Sequence, residues 1–210
     1  AGLSGKLQKG MSPARKTLSW AVLAIVITVP IAAAAASPLH AWRSPVYIAA
    51  GFAGIIAMIF LLLQPLLIGG YLPGLSGLRG RRVHHIIGGA LVMAVTLHVA
   101  GLWITSPPDV VDALLFASPT PFSDWGVIAM WAVIATAALA MLRRRLRLRP
   151  RTWRLCHTAL AAVIVLCSVV HALLIEGTME TMSKVALCTL VVLAAVKLGV
   201  DLRVWSLRRP

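Results

Sequence analysis

Residues 84–98 read HHIIGGALVMAVTLH and residues 157–171 read HTALAAVIVLCSVVH. Each segment opens and closes on histidine, and neither holds an Asp, Glu, Lys or Arg. At about 100° and 1.5 Å per residue, the fourteen helical steps between the end histidines return to within about 40° of the starting direction and climb about 21 Å. As helices, the two segments each present two histidines on one face, separated by about two-thirds of a hydrocarbon core of about 30 Å.

The rest of the chain agrees with a membrane setting. Of 210 residues 60% are hydrophobic and 12% charged, and the mean hydropathy is +0.90, too apolar for a soluble globular domain. Apolar periodicity predicts an all-α bundle of six transmembrane helices at about 17–36, 47–69, 84–105, 125–142, 156–175 and 184–204. The breaks are Ser37-Pro38 and Ser44-Pro45, Gly69-Gly70 and Pro73-Gly74, then Pro107-Pro108 with Pro119 and Pro121. This divides the chain into a basic tail at 1–16, a six-helix domain at 17–205 and a short basic tail at 206–210. Such a layout leaves no room for a soluble catalytic domain within these residues. The first span has the basic flank of a cleaved signal peptide, but its apolar run exceeds the usual one of about 7–15 residues. No internal repeat is legible.

The formal net charge of +14 does not point to nucleic acid, because the basic residues lie in clusters between apolar spans. Eighteen of the 20 fall on one side: Lys6, Lys9, Arg15 and Lys16; Arg79, Arg81 and Arg82; seven arginines from Arg143 to Arg154; and Lys197, Arg203, Arg208 and Arg209. Arg43 and Lys184 fall on the other, with five of the six acidic residues, Asp109, Asp112, Asp124, Glu176 and Glu180. The positive-inside bias therefore predicts a multi-pass protein of a bacterial-type inner (cell) membrane with both termini cytoplasmic. Trp20, Trp42, Trp103, Trp125, Trp153 and Trp205 fall near the expected interfaces, while Trp131 sits deeper. Cys156, Cys167 and Cys188 form no CxxC pair and read as packing residues.

Histidine within a span is costly unless it faces a partner in the bundle. The third and fifth spans run in the same direction, so His84 lies level with His157 near the basic side and His98 level with His171 further out. Two stacked bis-histidine sites result, and that ligand set suits haem iron engaged in electron transfer. His85 is about 140° out of phase with His98, so His84 is the expected inner ligand. His40 lies in the outer connection and is expected to be solvated. Gly88 and Gly89, about one turn after His84, leave space for a flat macrocycle or a neighbouring helix. Arg79, Arg81, Arg82, Arg151 and Arg154 flank the inner level, where Arg82 and Arg154 are the candidates to pair with an anionic cofactor group.

The pattern His84-x3-Gly88-x9-His98, followed by Trp153-Arg154-x2-His157-x13-His171, resembles the ferric reductase-like transmembrane domain over roughly residues 45–205. That family includes the membrane parts of NADPH oxidases and iron reductases and the membrane haem subunit of the methionine sulfoxide reductase system. The resemblance implies a b-type cytochrome carrying one or two haems b, with His84 and His157 on the inner iron and His98 and His171 on the outer one. It implies the membrane subunit of an oxidoreductase, with electrons arriving from a cytoplasmic flavin or nicotinamide donor or from quinol. The acceptor would be a ferric chelate, oxygen, a quinone or a periplasmic partner protein. These residues contain no Gly-rich nucleotide-binding turn, so FMN, FAD or nicotinamide is expected from a separate reductase unless flavin binds at the cytoplasmic face. The competing classes are a histidine-dependent metal-ion or proton transporter and a quinol-linked cytochrome b subunit of another type. The scarcity of carboxylates inside the spans weighs against a proton relay.

Overall fold

A computed structural model describes residues 12–143 and 145–207. The expectations for Lys6, Lys9, Arg144, Arg208 and Arg209, and for the side chains of Arg203 and Trp205, fall outside the described part. The described chain is helical: α1 (Pro13–Ala35), a 3-10 turn (Pro38–His40), α2 (Pro45–Ile68), α3 (Gly77–Thr105), α4 (Pro107–Leu114), α5 (Pro121–Leu142), α6 (Pro150–Leu174) and α7 (Thr181–Leu207). Six of these helices, all but α4, are long and apolar enough to cross a bilayer. The protein is a multi-pass, all-α membrane protein.

The helices begin earlier than hydropathy indicates, and the cause is local. α1, α2, α5 and α6 each start on a proline, whose missing N–H costs nothing in a first turn and whose fixed φ suits a helix. Ser12 and Ser44 cap α1 and α2 by accepting from the amides of Arg15 and Tyr47. α3 starts seven residues ahead of its expected end, and its 29 residues span about 43 Å. Its turn with Arg79, Arg81 and Arg82 thus extends beyond a hydrocarbon core of about 30 Å. The short α4 was not anticipated: Pro107-Pro108 reads as a break, yet Pro107 opens a helix with Asp109 in its first turn. Between α2 and α3 the chain turns on Gly70 and Gly74, with φ of +66° and +79°.

The helices pair as two antiparallel hairpins, α2 with α3 and α5 with α6, closed by α7. Their common core contains Ile55, Ile59, Leu62, Leu91, Ala132, Val133, Ile164, Leu187 and Val191. α1 is peripheral, contributing Ala34 at its end to that core while Leu18, Ile25 and Val29 stay exposed. Exposed Leu97, Trp131, Leu155 and Leu166 are the lipid-facing surface such a bundle needs. Cys167 and Cys188 are buried and Cys156 is exposed, all as free thiols.

Candidate functional site

The histidine-bearing helices α3 and α6 run in the same direction, because each is the second arm of its hairpin, and they approach each other through their histidine rings. The rings of His98 and His171 face each other with centres 6.4 Å apart and planes at 80°. Near the basic end the rings of His84 and His157 do the same, at 6.2 Å and 70°. An iron about 2 Å from each of two opposed nitrogens, each nitrogen about 1.1 Å from its ring centre, puts the centres about 6 Å apart. Both pairs match that separation. Among the described residues no group of three or more His, Cys, Asp or Glu gathers as a bare-metal site. Two ligands per level suit a metal whose remaining positions are filled by a macrocycle.

The outer pair is held by backbone. His98 Nδ1 lies 2.7 Å from the Ala50 carbonyl of α2, and His171 Nδ1 lies 2.7 Å from the Phe122 carbonyl of α5. A carbonyl only accepts, so Nδ1 carries the proton in both rings and the Nε2 lone pair is left as the ligand. One turn after each carbonyl stands a glycine, Gly54 or Gly126. A Cβ there would lie 3.1 Å from His98 Nδ1 or 2.7 Å from His171 Nδ1. The missing side chains let the imidazoles lie against the backbone.

This arrangement is an internal repeat. Phe122 and Gly126 follow Ala50 and Gly54 by 72 residues, and His157 and His171 follow His84 and His98 by 73. Buried Ile164 and Cys167 likewise follow buried Leu91 and Ala94 by 73. The repeat escapes sequence inspection because its shared elements are single residues set in interchangeable aliphatic ones. Gly54 and Gly126 were missed for the same reason, although their nearly equal spacing from His98 and His171, 44 and 45 residues, was available as a signal.

Between the hairpins lies a cavity of about 890 Å³, lined by His98 and His171 and floored by apolar side chains such as Met58, Leu91, Met130 and Ile164. Drug-sized and cofactor-sized ligands occupy cavities of about 300–1,000 Å³. At its acidic end the lining turns polar, with Arg43, Asp109, Asp112, Glu176, Thr178 and Lys184.

The inner level differs. Trp153 stacks on His157 at 5.1 Å and 12°, and the Arg143 guanidinium lies 4.4 Å from the Trp153 ring centre. His85 is exposed, its ring centre 5.8 Å from that of His84. Nδ1 of His157, Oε1 of Gln64 and Nε1 of Trp153 are buried without hydrogen-bond partners among the described residues. Buried polar atoms are normally satisfied, so this concentration marks a place where a polar group would be taken up. Arg82 and Arg154 are exposed, and Arg154 Nε donates to its own helix at the Pro150 carbonyl. Among the described residues, Arg143 approaches the inner level through Trp153. In the outer connection His40 is half-buried rather than solvated, its ring centre 5.9 Å from that of Phe52 and its Nε2 unpartnered.

The model of the family described as ferric reductase like transmembrane component matches residues 50–168, more than half of the chain. No curated protein and no solved structure matches it.

Proposed function

We propose, for a chain that belongs to the ferric reductase-like transmembrane family, that it is a b-type cytochrome moving electrons across the bilayer between a donor at the basic end and an acceptor at the acidic end. The family fits the membrane subunit of an oxidoreductase. The observation that carries the finer reading is the pair of level-matched histidine couples, with ring centres 6.2 and 6.4 Å apart. His98 and His171 would hold the outer haem and His84 and His157 the inner one. Bound there, haem would supply a one-electron couple.

The protein's own residues supply orientation and insulation. The Ala50 and Phe122 carbonyls fix which nitrogen of each outer imidazole is free and strengthen it as a donor. The aliphatic side chains in the cavity lining would give the outer level an apolar surrounding. Arg143 and Trp153 close one side of the inner level. The basic end is cytoplasmic on this reading, because lysine and arginine are retained on that side of an inner membrane. The donor there is a flavin- or nicotinamide-dependent reductase or quinol, and the acceptor at the far end is a ferric chelate or a periplasmic partner protein.

The test is an optical spectrum of the purified protein, oxidised and dithionite-reduced, with a pyridine haemochrome assay. Two b-type haems per chain are expected. A protein expressed with ample haem that shows no such spectrum would falsify the proposal, and ion flux without a haem spectrum would favour a transporter.

A further inference from the structure

Arg43 and Lys184, the two exceptions to the charge bias among 20 basic residues, line the same cavity as His98 and His171. Lys184 is only 8% exposed. Its Nζ donates to the Ile175 carbonyl at 2.6 Å, which employs one of three ammonium donors. Among the described residues the sole ion pair is Lys197 with Asp201, so no described carboxylate lies within ion-pair distance of Lys184. Glu180, four residues earlier, is near enough to act on Lys184 through charge alone, while its oxygens accept from the amides of Met182 and Ser183 and from the Ser183 hydroxyl at the start of α7. A buried ammonium with one carbonyl partner is costly, and a carboxylate beside it would offset the cost.

The backbone positions this ammonium. The Ile175 amide donates to the His171 carbonyl, so the carbonyl that anchors Lys184 belongs to the residue one turn, or about 6 Å, beyond the ligand histidine. Arg43 reaches the cavity from the connection between α1 and α2, its guanidinium 4.7 Å from the Tyr47 ring centre. We infer that Lys184 and Arg43 form a carboxylate-binding site at the acidic end of the outer cavity. The inference rests on the proposed function in one respect: beyond the protein's own Asp109, Asp112 and Glu176, which share the lining without an ion pair to either cation, the source of carboxylates nearest the site is the edge of a haem held between His98 and His171. A free carboxylate entering from the acidic end would meet the same two cations.

The test uses the full chain in detergent, loaded with haem b or with haem b dimethyl ester, whose propionates are blocked. Lys184→Met should release the outer haem to apomyoglobin about tenfold faster, as expected for loss of one charge-assisted bond, and move its midpoint potential negative. Lys184→Arg should restore both, and Arg43→Gln should give a smaller shift in the same direction. If the ester abolishes the difference between Lys184→Met and the parent, the carboxylates are those of haem. If the difference survives the ester and acetate shifts the potential of the parent alone, the carboxylate is a free one. Unchanged release and potential in Lys184→Met with either haem overturn the site. A chain that takes up no haem sinks the proposed function instead. There the cations are read by acetate, which should raise the thermal midpoint of the parent but not of Lys184→Gln; equal response of the two overturns the inference.

Discussion

His98 and His171 are set by groups that carry no side-chain chemistry: two carbonyls and two missing Cβ atoms. Gly126→Ala would place a methyl 2.7 Å from His171 Nδ1 and push the ring off the Phe122 carbonyl. Losing such an orienting bond typically costs about 10- to 100-fold in metal affinity, so the variant should bind its outer haem that much more weakly. Gly54→Ala, whose methyl would crowd His98 Nδ1 less severely at 3.1 Å, should lose less. Haem titration of the two proteins checks the ranking, and equal affinities would refute the cradle. His98→Ala and His171→Ala should each abolish the same haem and spare the other. Independent losses, read by potentiometric titration, would mean that the levels are wrongly paired.

The helix as an element carries the next predictions. α2 and α3 touch closely where a Cβ on Gly101 would come within 2.7 Å of the Ala50 Cβ. Gly101→Val should force these helices apart at a cost of about 1–3 kcal/mol and withdraw the Ala50 carbonyl from His98. Loss of the outer haem spectrum with the inner one retained is the expected result. At the start of α7, the Ser183 hydroxyl, followed by the amides of Ser183 and Met182, holds the exposed Glu180 carboxyl below the ordinary carboxylate range. A depressed folded pKa stabilises at all pH above the ordinary value and loses that contribution as pH falls through the depressed one. Thermal unfolding in detergent should therefore show an acid-side decline that Glu180→Gln lacks, the variant being less stable at neutral pH and equal in acid. Helix existence was legible here because about 20 apolar residues in a row admit no other structure in lipid. Helix starts were not, since proline at the first position and arginine beyond the core obey capping and solvation rather than hydropathy.

For the whole molecule the prediction is orientation. A reporter fused in the arginine-rich connection between α5 and α6 should read as cytoplasmic and one fused between α6 and α7 as external. Neutralising the arginines from Arg143 to Arg154 should weaken that preference in the same fusions. The two hairpins give the molecule its logic: each supplies a histidine helix and a helix that orients the outer histidine, and the ligand space lies where they meet.

Sequence by itself determined what depends on spacing along one helix and on transfer from water to lipid. Those are the six spans, the charge asymmetry, the two histidines on one face of α3 and of α6, and the preference for His84 over His85. Only the tertiary structure decided what depends on separate helices approaching. It set the 6.2 and 6.4 Å between ring centres, the carbonyls that orient the outer rings, Arg143 over the Trp153 that stacks on His157, and the presence of Arg43 and Lys184 in one cavity lining. Periodicity reports which face of a helix a residue occupies. Which backbone lies against that face is fixed by packing between residues some 50 positions apart, and aliphatic side chains leave no mark of it in the sequence.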